Sequence, residues 1–142
     1  MITRIFPLFV FCLLFFLSTE SSFSQQKEYK IISIAFYNVE NLFDTENNPF
    51  TFDDDRTPDG DDVWTQEKYR DKLQKLAGVI PEIGSEISKQ VPAIVGICEI
   101  ENRQVLEDLI NEPKLKAYNY GIVHYDSPDR RGIDVALLYR KD

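Results

Sequence analysis

Apolar and polar positions fall into blocks whose periods differ along the chain. Ile5 to Leu17 is an almost wholly apolar run of 13 residues, preceded by Arg4 and followed by Ser18-Thr19-Glu20-Ser21-Ser22. Ser22 and Ser24 are small residues two apart. A short basic start, an apolar stretch and a small-x-small site predict a signal peptide cleaved after Ser24. The run is shorter than the roughly 18 residues or more of a spanning helix. A retained anchor is the alternative. Cleavage predicts a secreted or periplasmic chain, residues 25–142, with no stable membrane association.

Residues 30–39 form the next block. Ile31, Ile32, Ile34, Ala35 and Phe36 give a near-continuous apolar run, the pattern of a strand buried on both faces, with Asn38 at its carboxyl end. Residues 44–62 then carry eight acids against the single base Arg56, and Pro49, Pro58 and Gly60 break any regular element. This segment is expected to be a solvated acidic loop or a flap on the substrate side of the domain. Thr65 is placed to cap a helix in which Tyr69, Leu73, Leu76 and Ile80 recur on one face, with Arg70, Asp71, Lys72 and Lys75 on the other. Residues 93–100 read as a second buried strand, interrupted near its end by Glu99. Asn102 caps a second helix with Val105, Leu106, Leu109 and Ile110 facing inward, and Pro113 is expected to stop it. Strands near 118–125 and 134–140 follow, joined by the turn sequence Ser127-Pro128-Asp129-Arg130-Arg131-Gly132.

The order strand, helix, strand, helix, strand, strand predicts a layered α/β domain. A sheet of these four strands alone would keep one face or edge unfilled. Composition narrows the picture. After Ser24 only Cys98 remains, so an intramolecular disulfide is excluded and stability must come from packing or bound metal. The formal net charge of −8 argues against a generic nucleic-acid binder, which would be basic. An acidic chain still acts on phosphates where a divalent metal neutralises the site.

The candidate chemistry lies at strand ends. A carboxylate within Ile97-Cys98-Glu99-Ile100 is costly to bury unless it is paired or metal-bound, and α/β sheets place ligands at the carboxyl ends of their strands. A Glu that simply reaches water is the plain alternative. Asn38 and Glu40 end the first strand, two apart and so on one face of a regular strand. With Glu99 they would make an oxygen-only cluster suited to magnesium, manganese or calcium. Asp55-Arg56-Thr57-Pro58-Asp59-Gly60-Asp61 partly echoes a calcium loop, although Thr57 and Gln66 stand where acids belong.

Three segments resemble one family. Residues 34–43, Ile-Ala-Phe-Tyr-Asn-Val-Glu-Asn-Leu-Phe, resemble the first motif of the endonuclease/exonuclease/phosphatase superfamily, in which a strand delivers Asn-x-Asp/Glu to the active site. Residues 94–99, Ile-Val-Gly-Ile-Cys-Glu, resemble its second motif, a strand ending in a metal-binding Glu. Residues 131–139, Arg-Gly-Ile-Asp-Val-Ala-Leu-Leu-Tyr, resemble its glycine-led apolar strand.

The resemblance implies the N-terminal half of a DNase I-like four-layer α/β/β/α sandwich. It implies hydrolysis of a phosphate ester, nucleic acid foremost, by a metal-aided water. Glu99 would be the principal ligand of Mg2+ or Mn2+, with Ca2+ as another candidate. Asn38 would orient the phosphate or its attacking water and join Glu99 in catalysis and metal binding. Glu40 would support the metal, and Arg131 would fork onto the substrate phosphate. In the family a catalytic His, its paired Asp and an Asp-x-Asn segment come later in the domain. His124 does not match that catalytic position and is expected to be a strand or turn residue. Little or no hydrolysis is therefore expected of these 142 residues alone. The alternative is a non-catalytic remnant of the fold that binds metal or a partner.

Overall fold

A computed structural model describes residues 27–141. The predicted signal peptide and its cleavage site lie outside them. The chain divides into two units, residues 1–30 and 31–142; of the first, only 27–30 are described, and they form no regular element. No helix among the described residues is long and apolar enough to cross a membrane.

The second unit is a mixed α/β domain. Strand β1 (Ile34–Leu42) leads through a long loop to helix α1 (Gln66–Val79), then to β2 (Ile94–Ile100), α2 (Arg103–Asn111), β3 (Tyr120–Tyr125) and β4 (Asp134–Arg140). The sheet order is β1-β2-β4-β3. β1 and β2 are parallel, so α1 serves as their crossover, while β2–β4 and β3–β4 are antiparallel.

Local chemistry sets the element ends. Thr65 accepts from Lys68 N at the start of α1, and Asn102 Oδ1 accepts from Val105 N at 3.0 Å to cap α2. α1 ends at Val79 in a 3-10 turn (Ile80–Glu82), and Gly84 takes a positive φ before the one-turn helix Ser85–Ser88. Pro113 ends α2 and also opens a further turn, Pro113–Lys116, since proline suits the first position of a helix.

The core lies between one face of the sheet and the helices. Ala35, Val39, Val95, Ile97 and Leu138 meet Tyr69, Leu73, Leu76, Val105, Leu106 and Leu109 there. All four residues of the predicted α1 stripe are buried. The opposite face is uncovered: Phe36 is 87% exposed, and Ile34, Val123, Tyr125, Val135 and Tyr139 share that condition. The reading of β1 as buried on both faces is thus corrected. Its apolar run reflects a core face and a bare apolar face, and ladder pairing begins at Ile34, not residue 30. Two layers are present among the described residues, one of helices and one sheet.

The acidic segment is solvated as expected at six of its eight acids, and it is also folded. Asp53 is 1% exposed and accepts from Asn48 N and Thr51 Oγ1, while Arg56 pairs with Asp62 at 2.7 Å. Phe52 N donates to Arg130 O at 2.7 Å, which ties the loop to the β3–β4 turn. Among the described residues it gathers no three-ligand set of the kind a calcium loop needs.

Candidate active site at the ends of the parallel strands

The ends of β1 and β2 are both irregular, and the irregularities build the site. On β2, Cys98 pairs with Val135 and Ile100 with Asp134, so Glu99 is an extra residue, bulged at φ 65. Strict alternation from Val95 and Ile97 would aim Glu99 into the core. The bulge hands that place to Ile100, which is fully buried, and leaves Glu99 half-buried.

On β1, Asn38 pairs with Cys98 and Leu42 with Ile100, so four positions of β1 stand against two of β2. The surplus is taken up at Glu40 and Asn41, with φ 56 and 61. Left-handed backbone in a non-glycine residue costs roughly 1 kcal/mol or more, and such residues cluster at working sites. The expectation of a regular strand through Glu40 is therefore corrected, although Asn38 and Glu40 are both exposed with Val39 buried between them, as two positions on one face would be.

The two irregular ends meet. Asn38 Nδ2 donates to Glu99 Oε1 at 2.8 Å, and Asn38 Oδ1 accepts from Glu40 N at 2.7 Å. One amide thus holds the Glu99 carboxylate and closes the turn at Glu40. With its oxygen engaged by Glu40 N–H, Asn38 is arranged as an orienter of Glu99.

Lys72 is the residue that sequence reasoning placed wrongly. It was assigned to the outer side of α1, yet it is half-buried and its Nζ donates to the carbonyl oxygens of Glu40 and Asn41. It also lies 5.7 Å from the centre of the Trp64 ring. Burial lowers its pKa from the usual lysine value. Glu40 and Glu99 oppose that shift, and Arg56 adds to it. Lys72 therefore feels both candidate carboxylates while supporting the strained end of β1. Its only sequence signal was its place beside Leu73 at the edge of the buried stripe.

Arg131 is near enough for the Glu99 charge to favour its protonated form, but its strongest partner is Asp129. Nε and Nη2 fork onto the Asp129 carboxylate at 3.1 and 2.8 Å, and Arg131 N donates to the same side chain at 2.9 Å. The arginine expected to fork onto a phosphate is held by a carboxylate of its own turn. That fork keeps the Asp129 carboxyl below its ordinary range.

A second cluster supports the loop behind the site. Glu101 is buried and its Oε2 accepts from Asp44 N at 2.7 Å, while Asn102 Nδ2 donates to Asp44 Oδ2 at 2.9 Å. Burial pushes the Glu101 carboxyl up to about 7, with the charges of Asp44 and Asp53 adding to it and the Asp44 N–H opposing it. Glu101 went unnoticed in the sequence because its burial depends on the loop folding back over it.

His124 lies in β3, as expected, with its Nε2 at 2.8 Å from Asp134 Oδ2. It makes no contact with the Asn38–Glu99 pair that the structure records.

A family model of the endonuclease/exonuclease/phosphatase family matches residues 33–142 of the 142. The chain belongs to this family. No curated protein and no solved structure matches it.

Members of the endonuclease/exonuclease/phosphatase family generally depend on a divalent metal, so the site can be tested for its fit to one. Among the described residues nothing hydrogen-bonds Glu99 Oε2, and no second and third side chain complete a ligand set around Glu99. Magnesium suits that setting, because it is held by one or two carboxylates with water and substrate phosphate filling the remainder. Glu99 would hold the ion, Asn38 would fix the carboxylate, and Glu40 is close enough to sense the same lysine. When bound, the ion would supply charge to a phosphoryl oxygen.

Proposed function

We propose that this protein is exported and takes part in metal-dependent phosphate-ester hydrolysis, with Mg2+ or Mn2+ on Glu99 and nucleic acid as the foremost substrate class. Family membership supports phosphoesterase or nuclease hydrolysis in general. The observation that carries the finer reading is the Asn38–Glu99 hydrogen bond between two parallel strands, each distorted where the pair forms. Asn38 holds the carboxylate, and Lys72 steadies the backbone behind it. We place this arrangement within a DNase I-like four-layer sandwich, whose second sheet would cover the bare apolar face.

The imidazole of His124 is engaged with Asp134 and not with the Asn38–Glu99 pair. Binding without catalysis is the second reading, and this engagement is what favours it.

Calorimetry on the full chain tests the proposal. Magnesium should bind the native protein, Glu99→Gln should weaken it at least tenfold, and Asn38→Ala several-fold. Inorganic phosphate should release heat only once magnesium is present. Magnesium affinity unchanged by Glu99→Gln would overturn the assignment. Hydrolysis of plasmid DNA and of bis(p-nitrophenyl) phosphate, run alongside, separates an active enzyme from a binding form.

A further inference from the structure

The hairpin of β3 and β4 carries a second donor set. An imidazole nitrogen of His124, an Asp126 carboxylate oxygen and an Asp134 carboxylate oxygen all lie within 4.8 Å of one another. The His124 and Asp134 side chains are only 4% and 6% exposed, whereas Asp126 is exposed. The set is therefore a buried nitrogen–oxygen pair with an open carboxylate at its mouth. It differs in chemistry from Glu99, where the donors are oxygens only.

We propose that His124, Asp126 and Asp134 form a cation site separate from the Glu99 site, which takes a borderline divalent ion such as zinc, manganese or cobalt. The donor chemistry selects the ion. Imidazole suits zinc and its neighbours, while oxygen-only sets suit magnesium and calcium. The spacing is nearly compatible. Two donors each about 2.1 Å from a tetrahedral ion stand roughly 3.4 Å apart, so the 2.8 Å between Nε2 and Oδ2 has to open by about half an ångström as the ion enters. The carboxylate is already braced, because Asp134 Oδ1 accepts from Ser127 N at 2.7 Å, the kind of outer support that metal ligands carry. Binding replaces the contact between ring and carboxylate. Facing a carboxylate that only accepts, Nε2 carries the proton of this contact; on binding that proton leaves Nε2, passing through solvent to Nδ1 in a neutral ring or to solvent from a charged one, and Nε2 becomes the ligand.

The consequence reaches the turn. Ser127 Oγ donates to Ile133 O and accepts from Asp129 N, and Asp129 holds Arg131. An ion bridging Asp126 to Asp134 would fix the stem from which this turn springs. The site would act as a clamp on the hairpin, independent of the phosphoesterase reading.

Because the chain has one histidine, the test is clean. Zinc chloride is titrated into the 15N-labelled full chain while the imidazole nitrogens are followed by NMR. Nε2 should move to a metal-bound shift at one equivalent. Asp126→Asn should weaken zinc at least tenfold and leave the ring signals of the metal-free protein unchanged. Glu99→Gln should leave zinc affinity as it was. Ring nitrogens indifferent to zinc, an Asp126→Asn variant that binds as the native chain does, or loss of zinc binding in Glu99→Gln would each overturn the proposal. Asp126 is exposed and accepts none of the recorded hydrogen bonds, so its variant is expected to fold.

Discussion

Replacing Glu101 with Gln should stabilise the domain at alkaline pH and do nothing at acid pH. Glu101 is 8% exposed and accepts from Asp44 N. Its carboxyl rises from an ordinary 4.5 to about 7, first because burial disfavours the anion, then because Asp44 and Asp53 repel it. The folded state therefore holds a proton that the unfolded chain has already lost. Between pH 4.5 and about 7 the native state binds more protons, so stability falls as pH rises; above that window the penalty is constant. At about 1.4 kcal/mol for each tenfold in proton affinity, the full penalty is on the order of 3 kcal/mol, an upper figure. Glutamine keeps an acceptor oxygen for Asp44 N–H and carries no charge. Urea unfolding of both proteins, in chelator and across pH 4 to 9, gives a difference curve from which titrations common to both cancel. The curve should sit near zero at pH 4.5 and climb to 1–3 kcal/mol in favour of Glu101→Gln above pH 8. A flat curve, or one that favours glutamate as pH rises, would show that the carboxylate is not held in a desolvated pocket.

Two further predictions concern the loop and the turn. A Cβ at Gly60 would lie 2.2 Å from Asp54 O and 2.7 Å from the Asp55 carbonyl, both backbone atoms, so Gly60→Ala must open the loop; we expect about 2–3 kcal/mol of lost stability, read as a fall of roughly 10 °C in Tm. Asp129→Asn removes the carboxylate fork from Arg131 and frees the guanidinium; inorganic phosphate should then bind several-fold more tightly in the presence of magnesium, and unchanged affinity by calorimetry would show that Arg131 does not face the phosphate.

What the sequence disclosed and what it hid divide along a physical line. Caps, buried stripes and strand order depend on neighbours a few residues apart, and Thr65, Asn102 and the Tyr69–Ile80 stripe sit where their spacing put them. Asn38 and Glu99 were legible because polar groups at the ends of apolar runs are conspicuous. The bulges that bring them together were not, since the surplus residues appear only once β1 is laid in register against β2. Lys72 and Glu101 were missed for a related reason. Lys72 was read onto an outer helix face and Glu101 was not singled out, and each is covered only by a distant segment, the β1 end in one case and the 44–53 loop in the other. Arg131 shows the converse: its position was readable, but its engagement with Asp129 depends on the turn geometry.

The charges gathered at the site explain why metal should precede phosphate. Glu40 and Glu99 surround Lys72, and Asp129 occupies Arg131. With Arg56 beside Lys72 and Asp62 paired to Arg56, four carboxylates stand against three cations, which leaves one net negative charge before any ligand arrives. A phosphodiester brings another. In a chain of net charge −8 no excess of basic residues offsets that repulsion from a distance. The lysine is not at liberty to help, because its ammonium is spent on the carbonyls of Glu40 and Asn41. A divalent ion on Glu99 reverses the local sign and gives a phosphoryl oxygen a partner in one step. It also leaves the Asn38 clasp on Oε1 intact, since Oε2 is the oxygen without a hydrogen bond among the described residues. On the proposed reading, these electrostatics favour an order, metal and then ester, which would let an acidic chain take an anionic substrate.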